Sequence, residues 1–196
     1  MAQAEPLNGL AVRRNVVHDL TKLDPKLRPE TASCRAIVET PKGRRGKLDY
    51  DPKLRTFRLK TLLPDGMSFP LDFGFVPRTL ADDGDPIDVM ILSDEPTPPG
   101  VLLDIRLIGA IEAEEKEHGK KERNDRVLAV AAVSHLYAAI KTVDDLEVSF
   151  IDNLIQFWTN KDRLEGKEFT CVGVGGPETA VALIEAAMKR ADQAKG

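Results

Sequence analysis

Seven short runs of apolar or alternating residues, at 34–39, 47–50, 56–63, 88–92, 101–111, 126–133 and 169–174, are separated by turn formers, and this rhythm constrains the fold most. The separators are compact: Pro41-Lys42-Gly43, Asp51-Pro52, Pro64-Asp65-Gly66, and the stretch from Pro96 to Gly100. Strands this short and this regularly spaced predict a compact antiparallel arrangement rather than a parallel sheet wound through helices. The fold class expected is α+β with a mainly β core: a small closed antiparallel β-barrel, OB-like, flanked by two main helices.

Those helices fall late in the chain. From 144 to 163 the residues Leu146, Phe150, Ile151, Leu154, Ile155 and Trp158 recur at three- and four-residue intervals and make one buried stripe. Phe157 and Trp158 read as core residues. Pro177 suits the first position of a second helix and Glu178 its positive end, followed by the stripe Val181, Ile184, Met188 and Ala191. Residues 1–31 are polar, broken by Pro6, Pro25 and Pro29, and read as an N-terminal arm ahead of a domain at 32–196. The segment 112–125 is almost wholly charged and reads alone as a solvated hairpin loop.

Composition excludes several functions. A net charge of −4 provides no basic field for nucleic acid or a membrane surface, and no apolar run is long enough to span a bilayer. The N-terminus lacks a basic segment followed by an apolar one, so no secretory signal is expected. Cys34 and Cys171 share no metal-ligand spacing and lie in apolar runs, so free thiols in a reducing, cytoplasmic setting are expected. His18, His118 and His135 form no spacing that points to chemistry.

The chemistry concentrates at Asp83-Gly84-Asp85-Pro86-Ile87-Asp88-Val89, where three carboxylates fall within six residues. Acidic turns are commonly just solvated turns. Here Gly84 permits a tight bend and Pro86 fixes φ, so the acids sit on a rigid corner leading into an apolar strand. Two carboxylates about 4 Å apart repel by about 1 kcal/mol in water and about 4 kcal/mol at an effective dielectric of 20. A cation between them removes that cost, and all-oxygen ligation suits hard ions such as Mg2+, Mn2+ or Ca2+. Further charges stand where strands meet turns: Glu39, Lys47, Asp49, Arg58, Lys60, Glu114, Glu115, Asp125, Arg126 and Lys161. Acids for metals beside cations for an anion make a metal-dependent phosphate site. Taken singly, Lys47 with Asp49 also fits a surface pair, Lys161 fits a helix C-terminus, and Asp162 reads as a surface residue.

With these residues in view the chain resembles the soluble, family I inorganic pyrophosphatases, as a divergent member. The resemblance is carried by Asp83 to Val89, by Phe69-Pro70-Leu71-Asp72-Phe73-Gly74-Phe75 and by Glu39-Thr40-Pro41. Lys47-Leu48-Asp49, Arg126 to Val130 and Lys161-Asp162 complete it, over about residues 32–190. It implies Mg2+-dependent hydrolysis of inorganic diphosphate to two orthophosphates, with several Mg2+ per site and Mn2+ as a substitute. It further implies Asp85 as the base, Asp83 and Asp88 as ligands of an activating metal pair, and Glu39 and Asp49 acting through metal-bound waters. Glu115 or Glu114 would hold a further metal. Lys47, Lys60 (or Arg58), Arg126 and Lys161 would bind phosphate oxygens, with Phe73 on the substrate side. Phosphate partners and a homo-oligomer, a hexamer or a dimer, are implied likewise.

The chain departs from the family pattern at definite positions. Phe69, Phe73 and Asn160 stand where tyrosines are usual, and Lys60 or Arg58 takes the place of an arginine. The metal-binding aspartate falls on Asn124, with Asp125 beside it as the alternative ligand. The charged loop is longer than usual. These departures leave two further readings open: hydrolysis of another phosphoanhydride, or a lapsed regulatory binder of metal and diphosphate.

Overall fold

The computed structural model describes residues 18–194, and it contains nine strands and two α-helices in an α+β arrangement dominated by sheet. The strands are β1 (Ser33–Thr40), β2 (Gly46–Asp51), β3 (Thr56–Leu62), β4 (Asp72–Phe75), β5 (Asp88–Leu92), β6 (Leu102–Glu117), β7 (Lys120–Arg123), β8 (Arg126–Ala131) and β9 (Glu168–Gly175). The helices are α1 (Val148–Leu164) and α2 (Pro177–Gln193). Residues 1–17, most of the expected arm, lie outside the described residues. The remainder of the arm docks: the Arg35 N–H donates to Pro25 O and the Arg78 N–H to Thr21 O, while Leu20 and Leu23 pack against Ile37, Tyr50 and Phe75.

In the main sheet the hydrogen-bonded order is β1–β4–β5–β8–β6, and β6 also pairs back onto β1; β7 and β9 extend it along β6. A hairpin of β2 and β3 stands apart from that sheet. The expected antiparallel pattern holds except between β5 and β8, which run parallel with Asp88 opposite Arg126. The exception has a simple cause. β5 and β8 are joined through the long β6–β7 hairpin, which gives the crossover length that a parallel pair requires.

Alternation along β5 sends Val89 and Ile91 to one apolar cluster and Met90 and Leu92 to another. The first cluster is covered by Ala180, Ile184 and Ala187 of α2, the second by Leu154 and Trp158 of α1. The expected helix at 144–163 is in fact a 3-10 turn, Val143–Asp145, closed by a capping box between Thr142 and Asp145, and then α1. Among the described residues, no helix is long and apolar enough to cross a membrane.

Two strands escape sequence reasoning. β4 is only four residues long and fully buried, and a Cβ on Gly74 would come within 1.9 Å of the Ile37 carbonyl oxygen, so glycine lets β4 and β1 close together. The charged segment 112–125 is not a loop. β6 runs on to Glu117, turns at His118-Gly119 with φ of 50° and 83°, and returns as β7. Its charges are matched across the ladder, Glu114 with Lys121 and Glu112 with Arg123, and Lys116 reaches Glu168 on β9.

Candidate active site

The corner between β4 and β5 is built locally. Gly84 takes a φ of 90°, Asp83 Oδ1 accepts the Asp85 N–H at 3.0 Å, and the Ala81 N–H donates to Asp85 O at 2.7 Å. Thr79 Oγ1 accepts the Ile87 N–H at 2.9 Å and anchors the chain beyond Pro86. Asp83, Asp85 and Asp88 therefore leave a fixed turn and line one cavity of about 520 Å³. Asp88 opens β5 and Arg126 opens β8 at the same register, so parallel pairing brings an acid and a cation to the same end of the sheet.

The sequence candidates converge. Lys47, Lys60, Asp83, Asp85, Asp88, Glu115, Asn124, Arg126 and Lys161 all line that cavity. Glu39 and Asp49 line a second cavity of about 360 Å³, which shares Lys47, Lys60, Asp85 and Asp88 with the first. Glu39 reaches it through a bulge: Val38 faces Gly74 but Thr40 faces Phe73, so Glu39 is the extra residue, turned to accept the Tyr50 N–H at 2.7 Å.

The open alternatives fall on definite sides. Glu115 faces the cavity, whereas Glu114 pairs with Lys121 outside it. Lys60 lines both cavities, whereas Arg58 sits 3.3 Å from Asp51 and lines neither. Asn124 faces the cavity, whereas Asp125 accepts the Ala113 N–H at 2.9 Å and meets Arg123 at 2.7 Å. Phe73 does not reach either cavity. It is buried in the α1 cluster with Phe69 and Trp158, and its ring lies 5.6 Å beneath the Lys47 ammonium. Asp162, read as a surface residue, is fully buried and holds Lys161 at 3.0 Å. Sequence reasoning also misses Lys167, which lines the cavity 3.6 Å from Glu115 and 3.3 Å from Glu117. Its place in a plain Glu-Gly-Lys turn gave no signal.

Charge is sorted within the site. The cavity's cations have acid partners: Asp49 holds Lys47 at 3.4 Å and Lys60 at 2.5 Å, Glu115 holds Arg126 at 2.6 Å, and Glu165 holds Lys161 at 2.8 Å. Among the described residues, no ammonium or guanidinium pairs with Asp83, Asp85 or Asp88. Burial pushes the Asp88 carboxyl up to about 6, against the pull of Arg126 and Lys47. Burial likewise raises Asp83, helped by Asp85 and Glu115. Burial drives Glu39 up to about 8; the Tyr50 N–H and Lys47 pull it down, while Asp49 and Asp88 push it further. Burial opposes ionisation of Glu115 too, but the adjacent Arg126 outweighs it and holds that carboxyl at about 2.

Unneutralised carboxylates with raised proton affinity fit a hard divalent cation in both donor type and charge. No trio of His, Cys, Asp or Glu among the described residues already forms a coordination cage.

A β-rich domain that lines one cavity with acids lacking a cationic partner and with cations braced by other acids belongs with metal-dependent phosphate proteins. The comparisons with known proteins narrow this class. Residues 36–192 match the inorganic pyrophosphatase family, and the chain belongs to it. The inorganic pyrophosphatase of Synechocystis is 30% identical over 171 residues, covering 87% of this chain and 98% of that protein. The inorganic pyrophosphatase of Nostoc is 32% identical over 171 residues, with the same two coverages. The crystal structure of inorganic pyrophosphatase from Thermus thermophilus matches with a TM-score of 0.80 and 26% identity, covering 89% of this chain and 99% of that one.

Proposed function

We propose that this protein hydrolyses inorganic diphosphate to two orthophosphates with Mg2+. The observation that carries the reading is the unpaired set Asp83, Asp85 and Asp88 facing Lys47, Arg126 and Lys161 across one cavity in a chain of this family. Bound divalent ions would supply positive charge against the phosphate oxygens and make nearby water more acidic. Asp83 and Asp88 would hold them first, Glu115 and Asn124 next, with Glu39 and Asp49 acting through water.

The chain's own residues do the rest. Asp85 lies where both cavities meet and takes the proton of the attacking water. As that water oxygen bonds to one phosphorus, the bridging oxygen leaves with the other phosphate. Lys47, Lys60, Arg126 and Lys161 meet the phosphate charge, and Lys167 adds to them. Asp49, Glu115, Asp162 and Glu165 keep those side chains from swinging away. Phe73 serves as the floor beneath Lys47 rather than as a contact.

The same reading takes the sheet as a closed barrel, supported by the pairing of β6 with β1, and the protein as a cytoplasmic homo-oligomer. Free Cys34 and Cys171 support a reducing setting, and the exposed Val133, Leu136 and Val148 support self-association. Phosphate release from diphosphate, with Mg2+ and then with EDTA, tests the activity. Release that needs Mg2+ and favours diphosphate over longer phosphoanhydrides is expected. Equal release from the longer substrates overturns the substrate assignment.

A further inference from the structure

Trp158 reads from the sequence as a core residue, and at 2% exposure it is one. Its ring nevertheless forms part of the cavity wall. The Arg126 guanidinium carbon lies 4.0 Å from the indole centroid and 5.0 Å from that of Phe169, and the Lys161 ammonium lies 5.4 Å from the same indole. Behind the ring, the indole N–H donates to Met90 Sδ at 3.2 Å, which fixes its rotation. Arg126 donates to Asn124 O at 2.8 Å and to Glu115 at 2.6 Å, while its buried Nε has no partner among the described residues.

Filling the core explains a large apolar side chain here but not two cations against its π-face. Two like charges drawn into one cavity wall repel each other, and Arg126 is almost fully buried. An aromatic quadrupole attracts both without adding to the negative charge that Glu115, Asp162 and Glu165 already set against them. A further carboxylate in that place would leave less positive charge for a ligand. The planar guanidinium stacks on rings where an ammonium does not, which suits the residue held closer.

We propose that Trp158 is a positioning residue, which holds Arg126 and Lys161 at a set separation for the two ends of a phosphate-bearing ligand. This rests on the diphosphate reading above. The chain has one tryptophan, so its emission reports this ring alone. Imidodiphosphate is titrated into the protein with Mg2+, and calorimetry establishes saturation. Emission changes on saturation in the unsubstituted chain, because Arg126 turns part of its charge from the ring to the ligand. At calorimetric saturation the change is absent in Arg126→Gln. A silent tryptophan in the unsubstituted chain, or an equal change in Arg126→Gln, overturns the proposal.

Kinetics separate positioning from packing. Trp158→Phe keeps a π-face and Trp158→Leu does not, so KM for diphosphate in the Leu variant exceeds that in the Phe variant by about tenfold. A merely structural tryptophan lowers the active fraction, reducing kcat and leaving KM the same in both, and that result also overturns the proposal. Phosphate release by the unsubstituted chain judges the diphosphate reading separately. The emission difference judges the positioning even when another phosphoanhydride is the substrate.

Discussion

The corner at Asp83 to Asp88 and the hairpin of β6 and β7 are made of similar residues and end up as opposites. Both are turns rich in charge. In the hairpin, Glu112, Glu114 and Lys116 each find an opposite charge on a neighbouring strand, and Lys120 pairs with Glu122. At the corner the acids have no cationic partner among the described residues, two of them are pushed toward the neutral form by burial, and the backbone beneath them is fixed. Matched charge builds a ladder, while unmatched charge held in place by the fold waits for a ligand. Exposed pairs contribute little to stability, whereas charge left bare in a cavity is expensive and persists only where it serves chemistry.

The sharpest way to break this contrast is at the corner. Asp85→Asn should keep the fold by circular dichroism and lower phosphate release by about 10² or more. Near-normal turnover would remove Asp85 from the reaction. Asp88→Ala should come next, raising the Mg2+ concentration for half-maximal activity by about tenfold or more, by the scale of lost ligand-shell contacts. An unchanged Mg2+ curve would argue that the bare acids are not ligands.

A third test uses pH and the metal-free protein. Glu39 has a folded pKa raised from 4.5 to about 8, so the native state binds the extra proton and is favoured by it at low pH. That stability is complete below about 4.5 and is lost as pH rises through about 8; Asp88 adds the same sign between 3.8 and about 6. Glu115, lowered from 4.5 to about 2, has the opposite sign, and its contribution is lost only as pH falls from 4.5 through about 2. Metal-free protein should therefore melt several degrees lower at pH 8 than at pH 5, at roughly 2–4 °C per kcal/mol. Saturating Mg2+ should remove the slope, and a metal-free protein indifferent to pH would contradict the assignment. The smallest effect belongs to the hairpin. Lys121→Gln should shift stability by less than about 1 kcal/mol and leave phosphate release unchanged. A large loss of activity there would mean that the ladder serves the site after all.

Much of this layout is legible in the sequence because it is local. Asp83 to Asp88 carries its own turn chemistry, β5 falls at the expected residues, and the α1 stripe follows its period. What escapes depends on neighbours distant in the chain. β4 lacks enough residues to show alternation, and β7 conceals a ladder whose partners are read only across the turn. Asp162 looks exposed because charge usually is, and its burial depends on contacts from other elements. The choices between Asn124 and Asp125, and between Lys60 and Arg58, turn on which way a side chain faces. Only tertiary pairing decides that.

Side-by-side registration of Asp88 and Arg126 at the start of two parallel strands has a consequence for how this molecule fails. Sliding β8 by one residue past β5 would flip Arg126 to the opposite face and drag apolar neighbours out of their clusters. A form that loses this register loses the Asp88–Arg126 end of the pocket together with the apolar interior. Heat inactivation and the loss of sheet structure should coincide at one temperature.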